Sequence, residues 1–314
     1  MLDILAVTSP IYCIISLGYL LTRGGLFAKA EMRVIGKFVL NLALPALVFK
    51  SLSQRQIAEV FNPAYLLAYA LGSLLVIAIG YGWARRVAGQ SATSSTFYAM
   101  GMGCANSGFV GFPILLLTLP AVAGVALALN MLVENLLVIP LLLVMAERSR
   151  GSGNAWQALA QSLARLARTP LFIGLLAGLA VSLSGLKLPA PIAQTTTLFA
   201  NASGALSLFV IGGSLVGLPL AGMGKKVWPI VSGKLLLHPL LVAGSLAVLA
   251  TTGLAPLAPP LHAAAVLLAA MPMMGIYPTL AQAYGQEDTA AAATLLATVA
   301  SFFTISGLLW LNPP

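Results

Sequence analysis

The chain is 314 residues long, 60% hydrophobic and only 7% charged, with a net charge of +9. A mean hydropathy of +0.99 exceeds what a soluble core needs, which excludes a water-soluble domain and reads as a polytopic helical membrane protein. The basic balance does not indicate nucleic acid, because the lysines and arginines are scattered between apolar stretches.

The opening stretch MLDILAVTSPIYCIISLGYLL lacks a basic leader region and is too long for a signal-peptide core, so it is expected to stay as a first span. Ten apolar segments run along the chain, at roughly 3–22, 34–52, 63–84, 94–118, 122–146, 170–186, 190–217, 227–250, 260–284 and 289–311. Each approaches the ~20 residues that a helix needs to cross a bilayer. Between the fifth and sixth lies the sizeable connection, with Trp156, Leu159, Leu163 and Leu166 at helical spacing and Arg165 and Arg168 near its end. That pattern fits an amphipathic helix on the membrane surface as well as it fits a simple linker. Cys13 and Cys104 both fall inside spans, so no disulfide framework is expected.

Charge sets the expected orientation. Connections after odd-numbered spans hold twelve basic residues: Arg23, Lys29, Arg33, Lys37, Arg85, Arg86, Arg148, Arg150, Arg165, Arg168, Lys225 and Lys226. The opposite side holds three, Lys50, Arg55 and Lys187. Basic loops stay in the cytoplasm, so both termini are expected outside, in the periplasm, with the protein in the inner membrane.

Ten spans divide into two halves of five, residues 1–147 and 170–314, joined by a cytoplasmic linker over 148–169 in one membrane domain. An odd number of spans per half forces the halves into opposite topology. Short echoes support such an inverted repeat. Asn41 and Asn201 are each followed eight residues later by a phenylalanine, Phe49 and Phe209. Phe112-Pro113 is matched by Tyr277-Pro278, and Asn135-Leu-Leu-Val-Ile by Ser301-Phe-Phe-Thr-Ile. The fold expected from this is all-α, with ten transmembrane helices in a five-plus-five inverted repeat.

Two stretches interrupt the apolar pattern. Gly101 to Pro113 reads GMGCANSGFVGFP, and Met271 to Pro278 reads MPMMGIYP. Glycine weakens a helix and proline removes a donor, so both predict helices broken in mid-span, the fourth and the ninth. Non-helical backbone is tolerated at that depth only where it is buried in protein or lines a cavity. Running in opposite directions, the two broken helices would cross at the midplane. Pro113 and Pro278 suit the first position of each second half-helix. Half-helix N-termini with free N–H groups then favour an anion at the centre, and the C-terminal carbonyls favour a cation. Asn106 and Ser107 add donors for a carboxylate. Packing kinks are the competing reading.

The residues Asn41-Leu-Ala-Leu-Pro45, Asn106-Ser-Gly-Phe-Val-Gly-Phe-Pro113, Glu134-Asn135 with Pro140, and Met271-Pro272 through Tyr277-Pro278 with Ala281-Gln-Ala-Tyr-Gly285 resemble the auxin efflux carrier family of secondary transporters. The resemblance covers essentially all ten spans. It implies the fold of the bile acid/sodium symporters, with a crossover of spans 4 and 9, a scaffold of spans 1, 2, 6 and 7, and a homodimer. The chain lacks the very long cytoplasmic loop of the plant members and is similar to the short prokaryotic ones. Relatives of that kind are associated with malonate or malate, so the resemblance implies a carrier of small organic anions working by elevator or rocking motion.

The candidate substrate-binding residues are Asn106, Ser107, Gly108 and Pro113 at the first break, and Met273, Gly275, Tyr277 and Pro278 at the second. Asn41, Asn135 and Asn201 join them as polar groups inside spans, where helix–helix hydrogen bonding is the alternative role. Glu134 is the acidic residue deep in a span; a charge there costs ~2.5–3.5 kcal/mol on insertion scales and so is functional by default. It is the candidate coupling-ion residue, with a proton favoured over sodium and a structural ion pair as the alternative. In the auxin carriers that this chain resembles, the matching position is a polar residue near the substrate carboxylate, so a glutamate here is a departure. Lys234 and His238, one turn apart in span 8, are lesser candidates: Lys234 is expected to snorkel toward the cytoplasmic end, and His238 to be a satisfied core histidine. His262 is expected at the outer interface. Neither cysteine has a histidine nearby, no two acids stand at catalytic spacing, and no metal cluster or cofactor motif occurs, so no enzyme is expected.

Overall fold

In hydrocarbon a chain must satisfy its own backbone, and here each apolar segment does so as helix. The computed structural model describes residues 2–54, 62–149, 155–186, 188–217, 227–252 and 257–311. Arg55, Arg150, Lys187, Lys225 and Lys226, which carry part of the charge asymmetry, lie outside these. The helices are α1 Leu2–Arg23, α2 Lys29–Ser53, α3 Pro63–Arg86, α4 Ala92–Gly103, α5 Ser107–Thr118, α6 Ala123–Ser149, α7 Ala155–Ala167, α8 Pro170–Ser184, α9 Ala190–Ser214, α10 Trp228–Ala250, α11 Pro259–Ala269, α12 Tyr277–Gln282 and α13 Glu287–Leu311. Six of them, α2, α3, α6, α9, α10 and α13, are long and apolar enough to cross a membrane. The stretch 155–167 is helical as its spacing predicts, packs on the end of α6, and leaves Trp156 exposed.

Caps mark several starts. Asn62 accepts from the Tyr65 amide, Ser91 from Ser94 and Thr169 from Phe172, each ahead of its helix. The two glycine- and proline-rich stretches interrupt the helical run as expected, at 104–106 between α4 and α5 and at 270–276 between α11 and α12.

Prolines also reshape helices that continue. Four turns widen to i→i+5 bonding: Val39–Ala43 in α2, Ser107–Gly111 in α5, Glu134–Val138 in α6 and Gly233–Leu237 in α10. Each is closed by an N–H five residues on, Leu44 to Val39, Phe112 to Ser107, Ile139 to Glu134 and His238 to Gly233. The next residue is proline every time, Pro45, Pro113, Pro140 and Pro239. A proline ring cannot donate to the carbonyl four residues back and collides with it, and a widened turn moves that carbonyl aside. Asn41, Ser107, Glu134 and Lys234 all sit on these widened turns.

Packing sorts the helices into two groups. α1 lies against α9, and α2 against α8 and α9; α3 lies against α10 and α4, α4 against α6, and α12 against α13. The α1–α9 seam closes on glycine: a Cβ at Gly212 would stand 1.9 Å from the Ile15 carbonyl oxygen, and one at Gly18 would stand 2.1 Å from that of Phe209. Close backbone approach of this kind replaces the hydrophobic drive that is missing between helices in lipid. Gly212→Ala should force the seam apart and destabilise the protein by about 1–3 kcal/mol. Gly244→Ala, where nothing lies within 4 Å, should be neutral or mildly stabilising through helix propensity. Thermal unfolding of the purified variants in detergent checks the contrast, and equal shifts would disprove a tight seam.

Candidate functional site

The two interruptions meet each other. Ala105 and Met273 form an isolated antiparallel bridge, and the Asn106 N–H donates to the Pro272 carbonyl at 2.8 Å. A single bridging residue in each segment thus does what a strand pair does, pairing backbone groups that helix no longer satisfies. Gly111 permits the approach, since a Cβ there would stand 2.5 Å from Leu268 Cδ2 and 3.0 Å from Met271 Cγ.

After the bridge the first chain restarts as helix. Asn106 is the N-cap: its Oδ1 accepts from the Phe109 amide at 3.2 Å, and its carbonyl accepts from Val110 and Gly111. Helix α5 therefore begins at Ser107, with Pro113 a turn and a half inside it, and the expected start at Pro113 is corrected. The widened turn tolerates the proline, so the helix need not wait for it. The second break follows the prediction more closely, because α12 starts at Tyr277 with Pro278 in its first turn.

The oxygen that caps the helix leaves the Asn106 amide nitrogen on the other side of the residue. That nitrogen faces Gly275, where a Cβ would stand 4.0 Å from it. Asn106 and Gly108 are half-buried and Gly275 is exposed. The Asn106 amide nitrogen and the N-terminus of α5, with its partial positive charge, thus lie beside the second break.

Behind the bridge the groups are buried. Glu134 Oε1 accepts from the Ala105 N–H at 2.8 Å, and Oε2 has a longer 3.5 Å contact with the Ser107 hydroxyl. Ser107 in turn accepts from Asn130 Nδ2 at 2.5 Å. The first break is therefore held from behind by a carboxylate. The second is held by a cation: Lys234 Nζ donates to the Ala269 carbonyl, the last residue of α11, at 2.7 Å. It also donates to His238 Nδ1 at 2.7 Å, and His238 Nε2 lies 3.0 Å from Ser73 Oγ. With Nδ1 accepting, the neutral ring carries its proton on Nε2 and donates to Ser73. Lys234 and His238 are both fully buried. Lys234 does not snorkel, because its ammonium is used on an orphan carbonyl in the interior; His238 is the satisfied core histidine expected. Lys234 and Glu134 lie within electrostatic reach of one another.

The other expected residues fall in three places. Ser107, Pro113, Met273 and Tyr277 are buried. Tyr277 donates to the Phe97 carbonyl at 2.7 Å and so anchors α12 on α4. Asn41 is exposed and donates to the Lys37 carbonyl of its own helix, and Asn135 is half-buried and donates to Met131 in the same way. Asn201 is exposed on α9, in a cavity with Lys50. Among the described residues no group of three metal-ligating side chains occurs. Asn130 and Ser73 were not anticipated. Asn130 stands four residues before Glu134, on the same helix face, which was a readable signal; nothing local distinguishes Ser73.

Paired interruptions satisfied by one another inside a helical protein with several apolar spans are joined by a family match that makes the chain a membrane transporter and not an enzyme. The chain belongs to the family described as membrane transport protein, the auxin efflux carrier family, whose profile matches residues 4–311. It is 28% identical over 313 residues to a Rhizobium meliloti (strain 1021) protein named "Putative malonate transporter", covering 99% of this chain and 96% of that one. It is also 28% identical over 214 residues to the "Uncharacterized transporter YfdV" of Escherichia coli (strain K12), covering 65% of this chain and 66% of that one.

Removing Lys234 leaves the buried Ala269 carbonyl and His238 Nδ1 without their partner, which costs about 1–3 kcal/mol. Lys234→Met should cost that much and lower the unfolding temperature sharply. Combining it with Glu134→Gln should cost less than the sum, by about 0.5–3 kcal/mol. Thermal unfolding of the four proteins measures the coupling, and strict additivity would show that the two charges stand independently.

Proposed function

We propose that the protein is a secondary carrier of small organic carboxylate anions, coupled to protons through Glu134. The observation that carries this is the bridge itself. The Asn106 amide nitrogen stands beside Gly275 of the second break at the N-terminus of α5, while the preceding residue, Ala105, is held by the Glu134 carboxylate. The candidate anion donors and the titratable acid are thus attached to consecutive residues of one short connection. An anion at Asn106 is repelled by ionised Glu134, so anion binding and proton uptake favour each other, by the same factor in each direction.

The reading includes ten spans. These are α1, α2, α3, α4 with α5, α6, α8, α9, α10, α11 with α12, and α13, arranged as two inverted halves with the broken pair crossing. The packing into two groups supports α1, α2, α8 and α9 as a scaffold against which the remaining helices move, in an elevator or rocking cycle. Charge asymmetry supports an inner-membrane orientation with both termini outside, and family resemblance supports a homodimer. The malonate named for the Rhizobium meliloti relative makes short dicarboxylates, malonate and malate, the first substrates to try. Sodium coupling of the bile acid type is disfavoured at the second break, because the Ala269 carbonyl that would face a cation already accepts from Lys234.

Reconstitution in proteoliposomes tests the reading. An inward proton gradient should drive uptake of labelled malonate by the wild type. Glu134→Gln should keep substrate exchange but lose the response to the gradient. Uptake driven by a sodium gradient and indifferent to pH would refute proton coupling; no uptake of any mono- or dicarboxylate would refute the carrier reading.

A further inference from the structure

A cavity of about 480 Å³ lies where α2 ends, between the two packed groups of helices. One wall comes from α2 and α9, with Lys50, Gln54 and Asn201; the other comes from α5 and α6, with Phe112, Leu116 and Gly124. Lys50 is in the last turn of α2 and half-buried. Among the described residues no carboxylate lies within ion-pair reach of its ammonium. The Asn201 and Gln54 side chains are exposed and share the same space. One lysine and two amides therefore line a recess that Ser51 and several apolar side chains complete, a make-up suited to a small anion. Low-dielectric walls strengthen the field of a charge placed among them.

The recess and the break share helix α5. Phe112 is six residues along α5 from Asn106, about 9 Å at the helical rise. The recess therefore touches the same helix whose N-terminus Asn106 caps. It is also at the boundary between the two groups of helices, which have to separate for passage.

We propose that this cavity is a capture site for small carboxylate anions, with Lys50 as its charge and Asn201 and Gln54 as its hydrogen-bond donors, and that it favours dicarboxylates over monocarboxylates. The preference follows from charge: one ammonium attracts a dianion with twice the energy it gives a monoanion at the same distance. This rests on the carrier reading above and adds a residue and a substrate class that the breaks alone do not supply.

The test is initial-rate uptake in proteoliposomes by wild type, Lys50→Gln and Lys50→Arg, with malonate as the dianion and lactate as the monoanion. Lys50→Gln should raise the half-saturating malonate concentration about tenfold and leave the maximal rate within about twofold, with a smaller change for lactate. Lys50→Arg should restore the malonate value. A thermal shift of each protein with malonate gives the same order without transport, and also shows whether the variants are folded. If the wild type carries malonate and Lys50→Gln does so with unchanged half-saturation, the capture site is refuted and the carrier reading stands. A fall in maximal rate alone, or equal effects on malonate and lactate, also overturns it. A wild type that neither carries nor binds either anion refutes both readings together.

Discussion

Everything at the centre of this protein depends on satisfying backbone that is not helical in a place without water. Two segments some 170 residues apart in sequence leave helix at the same depth, and neither could do so alone. The carbonyl of Pro272 is needed by Asn106, and the bridge from Met273 holds Ala105 in place. What the bridge leaves over is met by charge: the Ala105 N–H by Glu134, and the Ala269 carbonyl by Lys234. Hydrogen bonds to ionised groups are the strong kind, and in a low dielectric an unpaired backbone group is the costly alternative. The buried charges therefore have a structural reason to be present that is separate from any part in coupling.

Proline prepares the same region by a local route. The helix ahead of Pro45, Pro113, Pro140 and Pro239 widens by one residue per turn, and each widened turn carries a polar side chain, Asn41, Ser107, Glu134 or Lys234. Such turns loosen the hydrogen-bond ladder without ending the helix, so a polar group can be presented at mid-depth while the span remains continuous. Of the four, the turn in α2 stays outside the central network, and its asparagine bonds its own helix. The other three converge on the bridge from different sides.

The two halves of this centre are not equivalent. The first break ends in an asparagine cap with open N–H groups beyond it. The second ends in an exposed glycine and then a tyrosine whose hydroxyl is tied to the Phe97 carbonyl of α4. One side offers donors and the other is anchored. The first break thus presents the helix N-terminus, while on the second Met273 pairs with Ala105 and Gly275 leaves space beside the Asn106 amide.

Much of this was legible in the chain itself. Six long apolar helices, the two interruptions and the helical stretch at 155–167 follow from apolar run length, periodicity, glycine and proline, because in lipid the backbone has almost no choice but helix. The depth of Glu134 and the satisfied state of His238 were also readable. The start of α5 at Ser107 was not: a proline normally marks a helix start, and only the widened turn made Pro113 tolerable inside one. Nor was the role of Lys234, since a lysine two turns from a membrane surface can reach water, and it stays inside only because α11 ends in an unpaired carbonyl beside it. Likewise, Asn201 was visible as a polar residue within a span, but not as a neighbour of Lys50. Sequence determined which residues must leave helix or carry charge within the apolar depth. Tertiary structure alone decided which of them meet, because a backbone group or a buried charge can be satisfied by any partner that packing brings within about 3 Å.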